Sequence, residues 1–246
     1  MTITVVIPTL NEEWTVPLAL SRTVGMGFDE LIVVDGGSHD RTREIVTAFS
    51  FAQVVGVQHS SFSTQHSALP LFTFVTVPPG RARQMNAGAA ISKGDVLLFL
   101  HADTRLPSDA RQAIERVLED PACLGGRFDV RFERDSGLGW LISRMMNLRS
   151  RWTGIATGDQ AIFVRRSVFE QLGGYSDLPI MEDVDFTSRL KRAGLVAALR
   201  SKVITSYRRW DACGPLRTIL LMWALRFLYW IGISPHKLRH LYGSVR

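Results

Sequence analysis

Met181-Glu-Asp-Val-Asp-Phe186 sets three carboxylates within four positions, beside the apolar Val184 and Phe186. Like charges this close raise one another's pKa, which suits a general base, although helix capping accounts for one or two of the three. A second set is His101-Ala-Asp103, whose imidazole and carboxylate, two positions apart at a strand end, point to one side. Hard divalent cations take oxygen ligands and often use only one or two protein carboxylates alongside phosphate oxygens. Asp103 is therefore a candidate ligand for Mg2+ or Mn2+, with His101 as its assistant. Gly80-Arg-Ala-Arg-Gln-Met-Asn-Ala-Gly-Ala-Ala90 carries Arg81 and Arg83 at a turn into a helix. Guanidinium donors match phosphate oxygens bidentately, and arginine at a helix start opposes the dipole, which favours a functional reason over a solvated surface. Thr157-Gly-Asp-Gln160 adds Gly158, Asp159 and Gln160 ahead of the strand-like Ala161–Val164, where they would line the same cleft.

These residues need a frame. Ile3–Ile7 and Leu31–Val34 are short β-branched or leucine-rich runs, as in strands buried on both faces, and Asp95–Leu100 is another. Val54–Val57 reads as a third strand. Helices are predicted from Asn11 or Glu12 to Met26, from Ser38 or Asp40 to Phe49, and from Pro107 to Glu119. Strand alternating with helix predicts a mostly parallel α/β sheet flanked by helices on both faces. Such sheets bind ligands beyond the carboxyl ends of their strands. Those ends read Thr9-Leu-Asn-Glu-Glu13, Asp35-Gly-Gly-Ser-His-Asp40 and His101-Ala-Asp-Thr104. One such carboxylate is ordinarily a helix cap; three together predict a shared cleft. Residues 58–76, rich in Ser, Thr and His, read as a loop insertion, with His59 and His66 most simply solvated.

Composition narrows the class. The chain has 246 residues with 46% hydrophobic and 21% charged side chains, which excludes a disordered chain. Two cysteines, Cys123 and Cys213, exclude a disulfide scaffold and lack zinc-type partners. The net charge of +6 is uneven. Residues 200–246 hold nine basic side chains against the single acidic Asp211, so the preceding 199 residues are slightly acidic.

At this point a family is recognisable. VVIPTLNEE (5–13), IVVDGGSHDRT (32–42), GRARQMNAGA (80–89), GDVLLFLHADT (94–104), GDQAIFVRR (158–166) and GGYSDLPIMEDVDFTSRLKRAG (173–194) together resemble the family 2 glycosyltransferases of GT-A fold, across nearly residues 1–210. LHADT and MEDVD look most like a small, stand-alone bacterial subgroup. The resemblance implies a hexosyltransferase-type enzyme that moves a sugar from a nucleotide-sugar donor to an acceptor hydroxyl, metal-dependent and inverting. It implies that Pro8, Asn11 and Glu12 belong to the nucleotide pocket and that Asp35 contacts the base. By the same token, Arg81 and Asn86 lie near the donor phosphates, Asp103 is the last aspartate of the DxD metal motif, and Asp183 of the Glu182-Asp183 pair is the catalytic base. The chain departs from the motif in reading HAD, with His101 where the family has aspartate. The 58–76 segment has no counterpart in the pattern.

Two other classes compete. A sugar-phosphate nucleotidyltransferase would need a glycine-rich basic N-terminal loop, where TLNEE stands. A catalytically silent nucleotide-sugar-binding or membrane-scaffold protein would not need Asp35, Asp103 and Asp183 together. The expected organisation is a catalytic domain over 1–211 and a basic, aromatic, apolar helical tail over 212–246. The tail's apolar run, Ile219–Ile233, is interrupted by Arg226 and is shorter than the roughly 20 residues of a bilayer crossing. Arg217 and Arg226, nine positions apart, fall on opposite faces of a helix. Tryptophan, tyrosine and basic residues suit an anionic membrane surface, with packing on the domain or in a homodimer as the alternative and no nucleic-acid motif present. An N-terminus without a basic leader predicts a cytoplasmic protein, peripheral on the inner face of the membrane and reaching a sugar or lipid-linked acceptor.

Overall fold

Ile3, Val5 and Ile7 are fully buried on one side of the first strand and Val6 on the other, and this alternation sets the architecture. In the computed structural model, residues 1–55, 69–134 and 136–242 are described. Strands β1 (Ile3–Thr9), β2 (Glu30–Asp35), β3 (Leu71–Thr76), β4 (Val96–Phe99), β5 (Thr104–Arg105), β6 (Cys123–Phe132), β7 (Ile162–Arg165) and β8 (Leu195–Thr205) form one sheet, ordered β3-β2-β1-β4-β7-β6-β8-β5 among the described residues. The β3-β2-β1-β4 half is parallel, and β7 runs antiparallel to both β4 and β6. Helices α1 (Val16–Val24), α2 (Thr42–Val55), α3 (Arg81–Ile91), α4 (Ala110–Leu118), α5 (Leu138–Thr153), α6 (Arg166–Gln171) and α7 (Glu182–Ala193) complete the main body. Among the described residues three more follow, α8 (Arg208–Cys213), α9 (Pro215–Trp230) and α10 (Pro235–Tyr242).

Both sheet faces are covered. Leu31, Val33, Val96 and Leu98 pack in one layer, and Ile32, Val34, Leu97 and Phe99 in the other, so the central strands read as unbroken apolar runs. Helix α3 lies against β1 and β2 at Gly88, where a Cβ would come within 2.4 Å of Val6 Cγ1.

The sequence reading needs two corrections. Val54 and Val55 continue helix α2 and do not begin a strand. The third strand is β3, within the segment read as an insertion. Valine favours strands only where it meets a pleated surface, whereas this stretch extends a helix whose Val46 is buried against the sheet. β3 is an edge strand, only partly buried; its LFTFVT is strand-like, but it follows directly on a Ser-, Thr- and His-rich run that reads as loop, and the α2 residue Phe49 meets its Phe72 at 5.5 Å. His59 and His66 lie outside the described residues.

Candidate active site

Strand register gathers the motifs. Thr9 pairs with Asp35 across β1 and β2, so the loops after these strands leave side by side. They zip together: Asn11 N–H donates to Ser38 Oγ (2.9 Å), His39 N–H to Asn11 Oδ1 (2.9 Å) and Glu12 N–H to Thr42 Oγ1 (2.8 Å). Phe99 pairs with Ile162, so β7 starts where β4 ends, and this sets the Gly158–Gln160 turn beside His101. β5 pairs with β8 through Thr104 and Thr205, which brings the start of α8 to Asp103.

The carboxylates of α7 face this edge. Asp183 is partly exposed; its Oδ2 accepts from Gly158 N–H at 2.8 Å and its Oδ1 from Val184 N–H at 2.7 Å. Glu182 is buried and bound to Arg81 Nη1 at 3.1 Å. Burial pushes the Glu182 carboxyl up, Arg81 opposes this, and Asp183 adds to it. Asp159 is also held above the ordinary carboxylate range, first by burial, with the Thr157 hydroxyl opposing and Asp183 adding. Carboxylates set against one another at a buried strand edge are the arrangement expected of acid–base chemistry.

His101 Nε2 is buried and has no hydrogen-bond partner. It lies where a Cβ at Gly158 would be, 2.4 Å away, so only glycine leaves the ring its place. Burial and then Arg81 bring this imidazole down to about 4, with Asp103 and Asp183 opposing. His101 is thus neutral near pH 7. Arg208 Nη2 bridges Glu12 Oε2 and Asp103 Oδ2, each at 3.4 Å. A cation is what this position accommodates. Among the described residues no three His, Cys, Asp or Glu side chains converge as a metal cage, so a divalent ion here would take Asp103 and draw its other oxygens from a substrate.

Other predicted residues have structural partners. Asp35 is fully buried, and its carboxylate accepts from Gly37 N–H and Ser38 N–H at 2.9 Å each and from the Ser38 hydroxyl. It shapes the turn that follows β2. Asn86 spends both side-chain groups on the Tyr175 backbone, at 2.8 and 2.9 Å. Arg83 pairs at the surface with Asp177. Pro8 is partly buried near the end of β1.

Sequence reasoning missed four residues. Gln84 Nε2 donates to the carbonyls of Thr9 (2.6 Å) and Val34 (2.9 Å), clamping the ends of β1 and β2. Arg208, Arg149 and Arg226 are the others. The last two approach Asp159 and Asp183 from α5 and α9. The three arginines stood outside the motifs, Arg208 lying 105 positions from Asp103; Gln84 stood inside a motif but carried no charge to draw notice. Among the described residues, the non-glycine residues at positive φ are Asn11 (55°), Ala161 (47°) and Met181 (67°). Each adjoins a site segment, where such strain tends to collect. A cavity of about 640 Å3 by Asp95, Glu119 and Arg165 lies at the other end of β4, away from Asp103 and Asp183, whereas one of about 500 Å3 is lined by Asp103 and Arg208.

The family profile of glycosyl transferase family 2 matches residues 4–173, well over half of the sequence. The chain belongs to this family. Its fold is the GT-A type. The S. aureus TarS 1–349 structure superposes with a TM-score of 0.62 at 16% identity, covering 84% of this chain and 60% of that one. The mannosyltransferase PcManGT from Pyrobaculum calidifontis, in complex with GDP-Man and Mn2+, gives 0.62 at 20% identity, covering 91% and 64%. A probable glycosyltransferase, YdaM, of Bacillus subtilis (strain 168) is 28% identical over 78% of this family 2 chain and 47% of its own. The undecaprenyl-phosphate 4-deoxy-4-formamido-L-arabinose transferase of Pseudomonas paraeruginosa is 32% identical over 69% and 49%. The chain thus spans about half the length of these curated relatives.

Proposed function

We propose that the protein transfers a sugar from a nucleoside-diphosphate donor to an acceptor hydroxyl with inversion, and that Asp183 is the base. The observation that carries this is the separation of roles within Glu182-Asp183: Glu182 is buried against Arg81, while Asp183 stays partly exposed on two backbone N–H donors. Asp183 takes the hydroxyl proton as that oxygen attacks the anomeric carbon and the nucleoside diphosphate leaves from the opposite face. Asp103 would hold a divalent cation with the donor phosphates, beside the neutral His101; PcManGT, bound to GDP-Man and Mn2+, supports that reading. When bound, the ion supplies positive charge to the leaving diphosphate. Arg208 releases Asp103 and Glu12 as the donor enters.

The acceptor side includes Gly158–Gln160 and the tail. Curated relatives named for undecaprenyl-phosphate support a lipid-linked acceptor. Among the described residues no helix is long and apolar enough to cross a membrane. The basic helices of the tail instead hold the protein at an anionic surface, peripheral to the inner face.

Asp183→Asn tests the base. Donor binding, read by metal-dependent thermal shift with a panel of nucleotide sugars, should persist while transfer falls by about 100-fold or more. Transfer at the normal rate would remove Asp183 from the mechanism.

A further inference from the structure

Helix α9 is apolar on its packed face and on its exposed face alike. Leu216, Leu220, Trp223, Phe227 and Trp230, spaced four and three residues apart, form an exposed apolar stripe. Arg226 turns the other way, toward Asp159 and Asp183. Its neighbour Leu225 is fully buried and packs with Ile180, one residue before the αL Met181 that starts α7. The tail is therefore seated on the segment that aims Asp183.

Helix α5 mirrors this. Leu138, Leu141, Met145, Leu148 and Trp152 make a second exposed stripe at the same spacing. Its inward cation is Arg149, whose Nε and Nη2 are buried with no hydrogen-bond partner. The nearby carboxylates bond elsewhere: Asp183 accepts from two backbone N–H groups and Asp159 from the Thr157 hydroxyl, and neither bonds Arg149 Nε or Nη2. Burial and the adjacent Arg226 draw Arg149 down to about 10, so two guanidinium groups face one small region while still charged at pH 7. Buried charged donors without acceptors are costly, and a site that keeps them is organised for an anion.

We propose that Arg149 and Arg226 form an acceptor-side anion subsite, and that its ligand is the phosphate of a lipid monophosphate whose hydrocarbon lies along the apolar stripes of α5 and α9. The proposal rests on the transferase reading and names its acceptor class. Guanidinium forks supply paired donors to phosphate oxygens, and the stripes supply apolar area that no part of the described chain covers. With the phosphate held there, a hydroxyl of the same amphiphile can meet Asp183.

The test is equilibrium binding of lysophosphatidic acid to the full-length protein, with monoacylglycerol of the same chain and inorganic phosphate as the other arms. Lysophosphatidic acid should bind at least about ten-fold tighter than monoacylglycerol, as expected for charge-assisted hydrogen bonds. Arg149→Gln and Arg226→Gln should each remove most of that preference and leave monoacylglycerol binding as it was, while Arg149→Lys should recover part of it. Circular dichroism melts establish that the variants fold. Equal binding of the two lipids, or unchanged preference in both glutamine variants, overturns the subsite. Inorganic phosphate competing at the same concentration as the lipid overturns the hydrocarbon half. Nucleotide-sugar binding by the wild type is read separately; its absence refutes the transferase reading while the lipid result stands by itself.

Discussion

Gly158→Ala probes the junction of the two sides of the site. The new Cβ would lie 2.4 Å from His101 Nε2 and 2.6 Å from its Cε1, well inside contact distance. Gly158 is not among the positive-φ glycines, so the backbone itself tolerates alanine and the effect is steric. The imidazole is a rigid ring wedged among buried neighbours, and relief requires either the ring or the turn to move. Overpacking of this kind costs about 1–3 kcal/mol, and for a chain of this size each kcal/mol lowers Tm by about 2–4 °C. Moving the turn also draws Gly158 N–H away from Asp183 Oδ2, now 2.8 Å apart. Transfer should therefore fall along with Tm, while donor binding changes little. The assay is a double-mutant cycle by thermal and urea melts in wild-type and His101→Ala backgrounds. With the ring gone, the added methyl occupies vacated space, and Gly158→Ala should be neutral or stabilising there. An equal penalty in both backgrounds would falsify the steric account, as would a loss below about 0.3 kcal/mol in the wild type, which is the scatter of independent sites.

Other outcomes follow from single contacts. Arg208→Ala removes the cation that bridges Glu12 and Asp103; titration with Mn2+ alone should show about two- to five-fold tighter binding, since exposed pairs are worth about 0.2–1 kcal/mol, and weaker binding would make Arg208 part of the ion site. His101 is held near 4 in the fold against 6.5 ordinarily, so the unfolded chain takes up the proton first as pH drops. Its contribution to stability is present above pH 6.5 and is lost as pH falls toward 4, by on the order of 2–3 kcal/mol. Comparing urea melts of the wild type and His101→Asn at pH 7 and pH 5 isolates this from Glu182, whose raised carboxyl works in the opposite sense; parallel pH profiles would rule it out. Gly88→Ala places a methyl against Val6 and Val34, costing about 1–3 kcal/mol by urea melt, and an unchanged midpoint would show that α3 can lift off the sheet freely.

The alternation of buried β-branched strands with capped helices was legible in the sequence because a strand covered on both faces has no polar side to confuse the pattern. The edge strand β3 was hidden by the Ser-, Thr- and His-rich run that precedes it, and valines at a helix end, as at 54 and 55, look the same in sequence as strand valines. The acidic pair Glu182-Asp183 was equally visible, but the sequence could not divide its roles. Arg81, about a hundred residues upstream, does so by pairing with the buried Glu182. Asp35 and Asn86 were visible through their motifs, while the bonds that hold them, to the Ser38 turn and the Tyr175 backbone, were not.

By itself, then, the sequence determined the layers of the sheet, the family motifs, and the concentration of positive charge after residue 199, all of which depend on neighbours within a few residues. Tertiary structure decided which charges meet. The antiparallel entry of β7 beside β4 sets Gly158 against His101 and Asp183, β5 carries Asp103 to Arg208, and α9 brings Arg226 from the tail to face Asp183. Electrostatic interaction falls with distance through space, and chain separation says nothing of that distance until strand register has been fixed.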